Sequence, residues 1–261
     1  MLTYVYDGTL EGFLCCIFAL YTRHEVPDEI VEADYFQLRL DQQRVSIATD
    51  LAQADRVWQG IKKRMGAGAL TKVRGVFLTS DPDKAIKLCR WLMKGFTVGK
   101  RIYNDITSEV GEPVEALYRR IAREQNQMIQ FARFSQQENG VWFAKINPID
   151  SVVPLIMDHF AARFNIQPFV IYDERHHLAG IYDRTQWYLA QTGELHLPEA
   201  SAEEARYQAL WRTFYDAIAI KERLNPHLRQ NLLPKRFWGN MVELNATGPR
   251  QDLLPQASLS R

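Results

Sequence analysis

The chain has 261 residues with a formal net charge of +1, and 46% of its residues are apolar. This composition is typical of a globular protein with one large core or two small ones, and it excludes a histone-like polycation. No apolar run reaches the roughly 18 residues that a membrane-spanning helix needs, and the acidic first residues do not predict a signal peptide. Three cysteines are too few for a disulfide framework, so we expect a cytoplasmic protein.

The first part of the chain predicts a mixture of strands and amphipathic helices. Residues 3–6 are typical of a strand, and apolar side chains at helical spacing predict a helix over residues 10–21. Two further stretches, 35–40 and 44–49, predict a hairpin around a polar turn. Asp50 is a suitable N-cap for the helix that follows.

A stretch punctuated by glycine and proline divides the chain into two regions. Ser80 and Asp83 predict the start of the last helix before it, and Gly111 with Pro113 marks the junction. We therefore predict an N-terminal α/β region over residues 1–105 and a second region over residues 106–244. Residues 245–261 have no apolar periodicity and are expected to form a mobile tail.

The second region predicts a long amphipathic helix and a small sheet. Apolar side chains at helical spacing predict the helix over residues 112–135. Strands are predicted at 141–146, 168–172, 178–182 and 186–190, and short connections between the last three favour antiparallel pairing. The predicted fold class is therefore α+β, with helices packed on small, mainly antiparallel sheets.

Another helix is predicted after a capping box at residues 201–204. Its large apolar side chains recur at helical spacing and are expected to be buried: Tyr207, Leu210, Trp211, Phe214 and Ile218. Asn225-Pro226 ends this helix, and a last short helix is predicted over residues 235–244.

The segment 206–238 combines positive charge with aromatic rings. Its seven cationic side chains outnumber two acidic ones, so its charge is +5, whereas the whole chain carries +1. Cations bind the phosphate backbone and rings stack on bases, so this pattern predicts a nucleic-acid surface. The alternative is that the rings are buried and the cations are merely solvated. The predicted contact residues here are Arg212, Arg223, Lys235, Arg236, Phe237 and Trp238.

The long central helix carries a second set of cations. Arg119, Arg123 and Arg133 share one face with Gln127 and Gln130, opposite the apolar stripe. Cations and amides that recur once per turn contact successive phosphates, although an ordinary solvated helix face has the same composition. A further cation, Arg163, is predicted to join this phosphate-binding set.

Three side chains are candidates for acid–base catalysis: Glu124 among the arginines, His159 among apolar neighbours, and Asp173 in the run DERHH. A polar turn between strands also explains Asp173, and a satisfied core histidine also explains His159. Neighbouring His176 and His177 point to opposite sides of an extended chain, so no metal site is predicted.

Several nucleotide and redox chemistries lack their motifs. The sequence has no phosphate-binding loop, no dinucleotide fingerprint, no zinc-deaminase motif and no nucleophile elbow. No cofactor is therefore predicted.

Four stretches of the chain resemble a bacterial family described as probable DNA metabolism proteins. The matching motifs are YDGTLEGF at residues 6–13; Arg123-Glu124 with Met128, Phe131 and Arg133-Phe134; Pro154 with His159-Phe160, Arg163-Phe164 and Ile171-Tyr172-Asp173; and Trp211-Arg212, Arg223-Leu224-Asn225-Pro226 and Leu233-Pro234-Lys235-Arg236-Phe237-Trp238. The resemblance implies a gene beside that of a radical-SAM enzyme for DNA modification or repair. It also implies kinship with a domain fused to some uracil-DNA glycosylases, without assigning catalytic residues.

Together, the residues and the resemblance predict a nucleic-acid-binding accessory protein in DNA repair or modification. Its expected partners are DNA or another nucleic acid and the radical-SAM protein, with no membrane. One alternative is an enzyme that acts on a nucleic acid, base or nucleotide by acid–base chemistry. Another is a protein–protein adaptor that docks through the aromatic and basic segment.

Overall fold

The structure is a computed structural model that describes residues 1–37, 41–193, 201–218 and 225–244. The chain divides into unit 1, made of Met1–Gln125 and Ile149–Val152, and unit 2, made of Asn126–Pro148 and the residues from Val153 onward. The predicted boundary at residue 105 lies inside unit 1. The predicted tail, residues 245–261, lies outside the described residues.

Unit 1 contains a three-stranded parallel sheet. Its strands are β1 (Leu2–Tyr6), β2 (Glu29–Glu32) and β3 (Gln43–Ser46). The order is β2-β1-β3, and β1 pairs in parallel with both neighbours. The central strand is apolar and buried from its second residue onward, which is typical of a strand covered on both faces.

The predicted hairpin over residues 35–40 and 44–49 is wrong. The strand β3 pairs with β1, forty residues earlier in the chain, rather than with the stretch just before it. Ala33–Tyr35 forms a short 3-10 helix instead, and residues 38–40 lie outside the described residues. Apolar alternation identifies a strand but not its partner, so the sequence pattern favoured the nearest candidate.

Helices surround the sheet of unit 1. They are α1 (Leu10–Arg23), α2 (Leu51–Met65), α3 (Ala67–Phe77), α4 (Lys84–Val98) and the first part of α5 (Gly111–Phe131). The predicted cap of α2 is confirmed, because the Asp50 carboxylate accepts the backbone N–H groups of Ala52 and Gln53. Fully buried Phe13, Ile17 and other large side chains fill the core between helices and sheet.

Unit 2 contains a five-stranded mixed sheet in the order β4-β5-β6-β7-β8. The strands are β4 (Ser135–Gln136), β5 (Trp142–Ile146), β6 (Phe169–Asp173), β7 (Leu178–Tyr182) and β8 (Trp187–Gln191). The predicted antiparallel pairing of β6, β7 and β8 is confirmed. However, β5 and β6 pair in parallel across the connection that contains a helix.

That helix, α6 (Val153–Arg163), packs closely on the sheet because β7 has a glycine beneath it. A Cβ atom on Gly180 would lie 2.8 Å from the Val153 side chain and even closer to that of Met157. Aromatic rings fill the space on the same side, with the Phe134 ring centroid 4.8 Å from Phe164 and 5.1 Å from Phe160.

The last described elements are α7 (Ala202–Ile218), α8 (Pro226–Leu232) and the 3-10 helix Lys235–Asn240. The α+β class is confirmed, with small sheets and many helices. The sheets divide by unit, since unit 1 is parallel and most pairings in unit 2 are antiparallel. None of the helices in the described ranges combines the length and hydropathy needed to cross a bilayer.

Candidate nucleic-acid interface

The 3-10 helix Lys235–Asn240 is fastened to the carboxyl-terminal half of α5. The ring of Phe237 is only 4% exposed and packs against Phe131, with centroids 5.3 Å apart. One residue earlier, Arg236 donates a hydrogen bond of 3.2 Å to the Gln127 side chain. Phe237 was predicted to stack on a base. Its ring lies in the core instead, because an apolar anchor is needed to hold this short helix.

The exposed side of this 3-10 helix is cationic. Lys235 and Arg236 are both exposed. The guanidinium of Arg229 lies 5.1 Å from the ring centroid of Trp238, whose indole N–H donates to the Leu233 carbonyl at 2.9 Å. Trp238 was predicted to stack on a base, but Arg229 is now the group stacked on its ring. In the sequence, Arg229 contributed only to the positive charge of the segment 206–238 and was not predicted as a contact residue.

Two predicted arginines meet at the chain segment that follows. Arg133 pairs with Glu243 at 2.8 Å and caps the end of α5 through the Gln130 carbonyl at 3.0 Å. Arg212 donates to the Val242 carbonyl at 3.2 Å. Burial raises the pKa of Glu243, but the hydrogen bond from Arg133, other hydrogen bonds to the carboxylate and the charge of Arg133 together outweigh burial and leave the pKa below its ordinary value.

A cavity of about 230 Å³, here called the unit 2 pocket, opens beside Arg133. Its lining residues are Arg133, Phe134, Ser135, Phe143, Lys145, Gln208, Asn240 and Val242. They come from three separate stretches of the sequence: residues 133–145, which include β4 and part of β5, Gln208 of α7, and residues 240–242 at and after the end of the 3-10 helix. No local motif joins them, so sequence reasoning identified only Arg133.

The other predicted phosphate-binding residues are more scattered. Arg119 and Arg123 are exposed on the part of α5 that belongs to unit 1, and Arg119 pairs with Glu115 at 2.9 Å. Arg163 is exposed at the end of α6 in unit 2. Arg223 lies outside the described residues. Arg133, Arg212, Lys235 and Arg236 are thus predicted cations that the structure brings into one region of unit 2.

Glu124, predicted as an acid–base catalyst, is buried and has a structural contact. Its carboxylate accepts the backbone N–H groups of Ile149 at 2.6 Å and Asp150 at 3.2 Å. Arg120, one turn earlier on α5, donates two hydrogen bonds of 2.9 and 2.7 Å to the carboxylate of the fully buried Asp150. This bond to Asp150 raises the pKa of Arg120. The network joins the segment Ile149–Val152 to the rest of unit 1.

His159 and Asp173 lie in unlike surroundings. His159 is exposed on α6 rather than buried among apolar neighbours, and only the edge of its ring meets Phe160. Asp173 is the fully buried last residue of β6, where its side chain accepts the backbone N–H groups of Arg175 and His176 in the turn that follows. Its second oxygen lies 2.6 Å from Nδ1 of His176. Asp173 therefore holds a polar turn between strands, as one interpretation of the sequence predicted. The same carboxylate also pairs with the imidazole of His176.

The opening motif of residues 6–13 has a clear local cause. Asp7 follows β1 and accepts hydrogen bonds from the Thr9 and Thr49 hydroxyls at 2.6 and 2.7 Å. A Cβ atom on Gly12 would clash with the Asp7 carboxylate, so a glycine is required there. Burial raises the pKa of Asp7, but these hydrogen bonds outweigh it and lower the pKa overall. The motif fixes the turn between β1 and α1.

The predicted burial of the apolar face of α7 is wrong. Its five large apolar side chains are between 46 and 61% exposed: Tyr207, Leu210, Trp211, Phe214 and Ile218. The helix predicted from the apolar periodicity is confirmed, since α7 spans Ala202–Ile218. A periodic apolar stripe shows that a helix has an apolar face, but it does not show that the same unit covers this face.

These observations describe an α+β protein of two units, whose second unit combines exposed cations, a small pocket and an apolar helix face. A family model described as a domain of unknown function (DUF4130) matches residues 82–243, more than half of the chain. The chain belongs to this family. The matched range includes the unit 2 pocket, α7 and the 3-10 helix Lys235–Asn240. No curated protein matches the sequence.

Proposed function

We propose that this protein binds nucleic acid through unit 2 and acts as an accessory protein in DNA repair or modification. The carrying observation is the cationic surface, by which we mean Arg229, Lys235 and Arg236. These side chains are held on one helix of unit 2 and its neighbours, since Arg236 contacts Gln127 of α5 and Arg229 covers the indole of Trp238, which lies on the same 3-10 helix as Lys235 and Arg236. Several cations held on one surface are the arrangement that a phosphate backbone binds.

The buried anchor of this surface favours binding over a purely solvated role. Phe237 holds the backbone of the 3-10 helix, and Gln127 orients the guanidinium of Arg236. A guanidinium that is already oriented loses less conformational entropy when it binds, and its planar fork matches two phosphate oxygens. The three cysteines are buried free thiols, which suits the reducing cytoplasm in which such a protein would work.

Affinity measurements with charge-removing variants test this proposal. We expect Lys235→Ala and Arg236→Ala each to weaken binding of single- and double-stranded DNA several-fold, with similar effects for different sequences, because phosphate contacts do not read bases. Arg175→Ala is the matched control, since it removes an exposed cation from a turn of the same unit. Equal losses for the control and the two variants would mean that only net charge matters. Absence of binding at low salt would reject the proposal.

The apolar face of α7 supports a second role, docking onto a protein partner. Large exposed aromatic and aliphatic side chains are enriched where proteins associate. The family resemblance suggests the radical-SAM protein for DNA repair or modification as this partner. The nucleic-acid and docking roles are compatible, because an accessory protein would hold both its DNA and its enzyme.

Co-purification of the two recombinant proteins tests the docking role. We expect Trp211→Ser and Phe214→Ser to abolish a complex that the unaltered chain forms. Tyr188→Ser is the control, since Tyr188 is 48% exposed on β8 and its loss removes a comparable ring elsewhere. A complex that survives both α7 variants, or its absence with the unaltered chain, would reject this partner.

One contact keeps an acid–base enzyme open as an alternative. The carboxylate of buried Asp173 lies 2.6 Å from Nδ1 of His176, the geometry by which a carboxylate orients a catalytic imidazole. Turnover of a nucleic acid, base or nucleotide that disappears in His176→Gln, but persists in His177→Gln, would support this alternative. Equal turnover in both variants would remove the pair from consideration.

A further inference from the structure

The unit 2 pocket is small and partly enclosed by side chains of unit 2. Its volume of about 230 Å³ lies below the roughly 300–1,000 Å³ of pockets for drug-sized ligands. We propose that this pocket receives one unpaired nucleobase of a bound nucleic-acid strand. The inference rests on the proposed nucleic-acid binding and adds to it the group that is recognised.

The pocket lining suits a planar ring with a polar edge. Phe134 and Phe143 supply aromatic surface, and the Asn240 amide supplies both a hydrogen-bond donor and an acceptor. The amino group of Gln208 donates to Glu204 at 2.9 Å, so Gln208 offers the pocket its carbonyl oxygen as an acceptor. Base edges present the same mixture of donors and acceptors, and amide side chains are frequent partners of bases.

Charge balance favours a base over an isolated phosphate in this pocket. Arg133 and Lys145 both line it, but Arg133 pairs with Glu243 at 2.8 Å and Lys145 pairs with Glu174 at 2.6 Å. A phosphate inside the pocket would compete with these carboxylates for the same cations. A neutral base would accept hydrogen bonds from the cations without displacing their partners.

The pocket is continuous with the cationic surface. Asn240 lines the pocket and is the last residue of the 3-10 helix that carries Lys235 and Arg236. Arg133 lines the pocket and caps α5, the helix whose Gln127 accepts a hydrogen bond from Arg236. A strand with its phosphates on those two cations therefore passes the mouth of the pocket. Entry of a base requires that the base be unpaired, so single-stranded nucleic acid is expected to bind more tightly than a perfect duplex.

Comparison of a short single-stranded oligonucleotide with an abasic sugar–phosphate oligomer of equal length tests this inference. Asn240→Leu and Gln208→Met remove the amides at similar size, and we expect about 3- to 10-fold weaker binding of the oligonucleotide from lost base contacts. Binding of the abasic oligomer should stay unchanged. Gln191→Met, an exposed amide on β8, is the control for both ligands, and circular dichroism confirms that each variant folds.

The results of these measurements distinguish base binding in the pocket from phosphate binding on the cationic surface. Unchanged binding in the amide variants, or equal losses with both oligomers, would overturn the pocket inference, while Lys235→Ala should weaken both oligomers equally. If the unaltered chain binds neither oligomer, the proposed function fails. The pocket is then judged by titrating a free nucleoside at millimolar concentration: shifts of the Asn240 side-chain NMR signals support a base site, and unshifted signals overturn it.

Discussion

The two units use their cations differently. In unit 1, several cations pair with carboxylates that hold the fold together: Lys72 with Glu115, Lys84 with Glu32, Lys87 with Asp81, Lys94 with Asp105, and Arg120 with Asp150. In unit 2, Arg133 pairs with Glu243 and Lys145 with Glu174, whereas Lys235 and Arg236 lie exposed on a short helix that the buried Phe237 ring anchors. Charge content alone therefore does not locate a binding surface. The groups that each cation contacts in the fold must also be known.

Cation–ring contacts show the same contrast. Lys72 of unit 1 lies between 5.3 and 5.9 Å from the ring centroids of Tyr118, Trp91 and Tyr103, and only 11% of its side chain is exposed. In unit 2, Arg229 lies 5.1 Å from the ring centroid of Trp238, and the exposed Arg236 lies 4.6 Å from that of Phe237. The contacts in unit 1 are part of a core, and those in unit 2 belong to the surface that we propose binds nucleic acid.

The largest effect is expected from removing a buried carboxylate that several groups of unit 1 contact. Asp150→Ala leaves Arg120 without its two hydrogen bonds and the Ser80 N–H without its acceptor. Breaking a buried ion pair costs about 3–5 kcal/mol, and partial exposure of Arg120 places this variant near the lower end. Urea unfolding measures the loss. Arg119→Ala, which removes an exposed pair, should cost under about 1 kcal/mol, and equal losses would contradict the contrast.

A smaller effect is expected from the aromatic surroundings of Lys72. Lys72→Met keeps most of the packing but removes the charge that Glu115 and three rings contact, so the free energy of unfolding should fall by about 2 kcal/mol. Lys63→Met on exposed α2 surface is the control and should leave stability almost unchanged. If both variants unfold at the same urea concentration, the rings around Lys72 contribute no electrostatic stabilisation.

The smallest effect is expected from pH, through Glu243 of unit 2. Its pKa in the folded protein lies below the ordinary value of 4.5, so its pairing with Arg133 stabilises the protein fully above that pH. This contribution is lost as pH falls through the lowered pKa. The free energy of unfolding of Glu243→Gln should therefore be lower than that of the unaltered chain at neutral pH and converge with it in acid. A constant difference across this range would show that Glu243 does not act through its charge.

Most local signals in the sequence predicted local structure correctly, but the helix start predicted at Ser80 is wrong, because α4 begins at Lys84 after Asp83 and the Ser80 hydroxyl donates to the Ile149 carbonyl. The caps at Asp50 and Ser201 are confirmed, and so are the three antiparallel strands β6, β7 and β8. Each depends on residues a few positions apart, where hydrogen-bonding chemistry and apolar periodicity leave few alternatives. The central helix α5 was predicted for the same reason.

Contacts between distant residues were beyond the sequence pattern. The parallel pairing of β3 with β1, the burial of Glu124 beneath Ile149, and the exposure of α7 all depend on partners elsewhere in the chain. The candidate interface divides in the same way. The +5 segment indicated Lys235 and Arg236, but the pocket residues Lys145 and Asn240 meet only after folding. The prediction that Phe237 stacks on a base is wrong, because the sequence around an aromatic residue does not show whether its ring is exposed or buried.

The most direct test of the central claim is the salt dependence of single-stranded DNA binding. If the cationic surface of unit 2 binds phosphates, the logarithm of the association constant falls linearly with the logarithm of salt concentration. The Lys235→Ala/Arg236→Ala double variant should then lose about 1.4 from that slope, near 0.7 for each contact. The Arg119→Ala/Arg123→Ala variant provides the comparison from unit 1 and should change the slope less. Binding that ignores salt, or equal slopes for both double variants, would contradict the account.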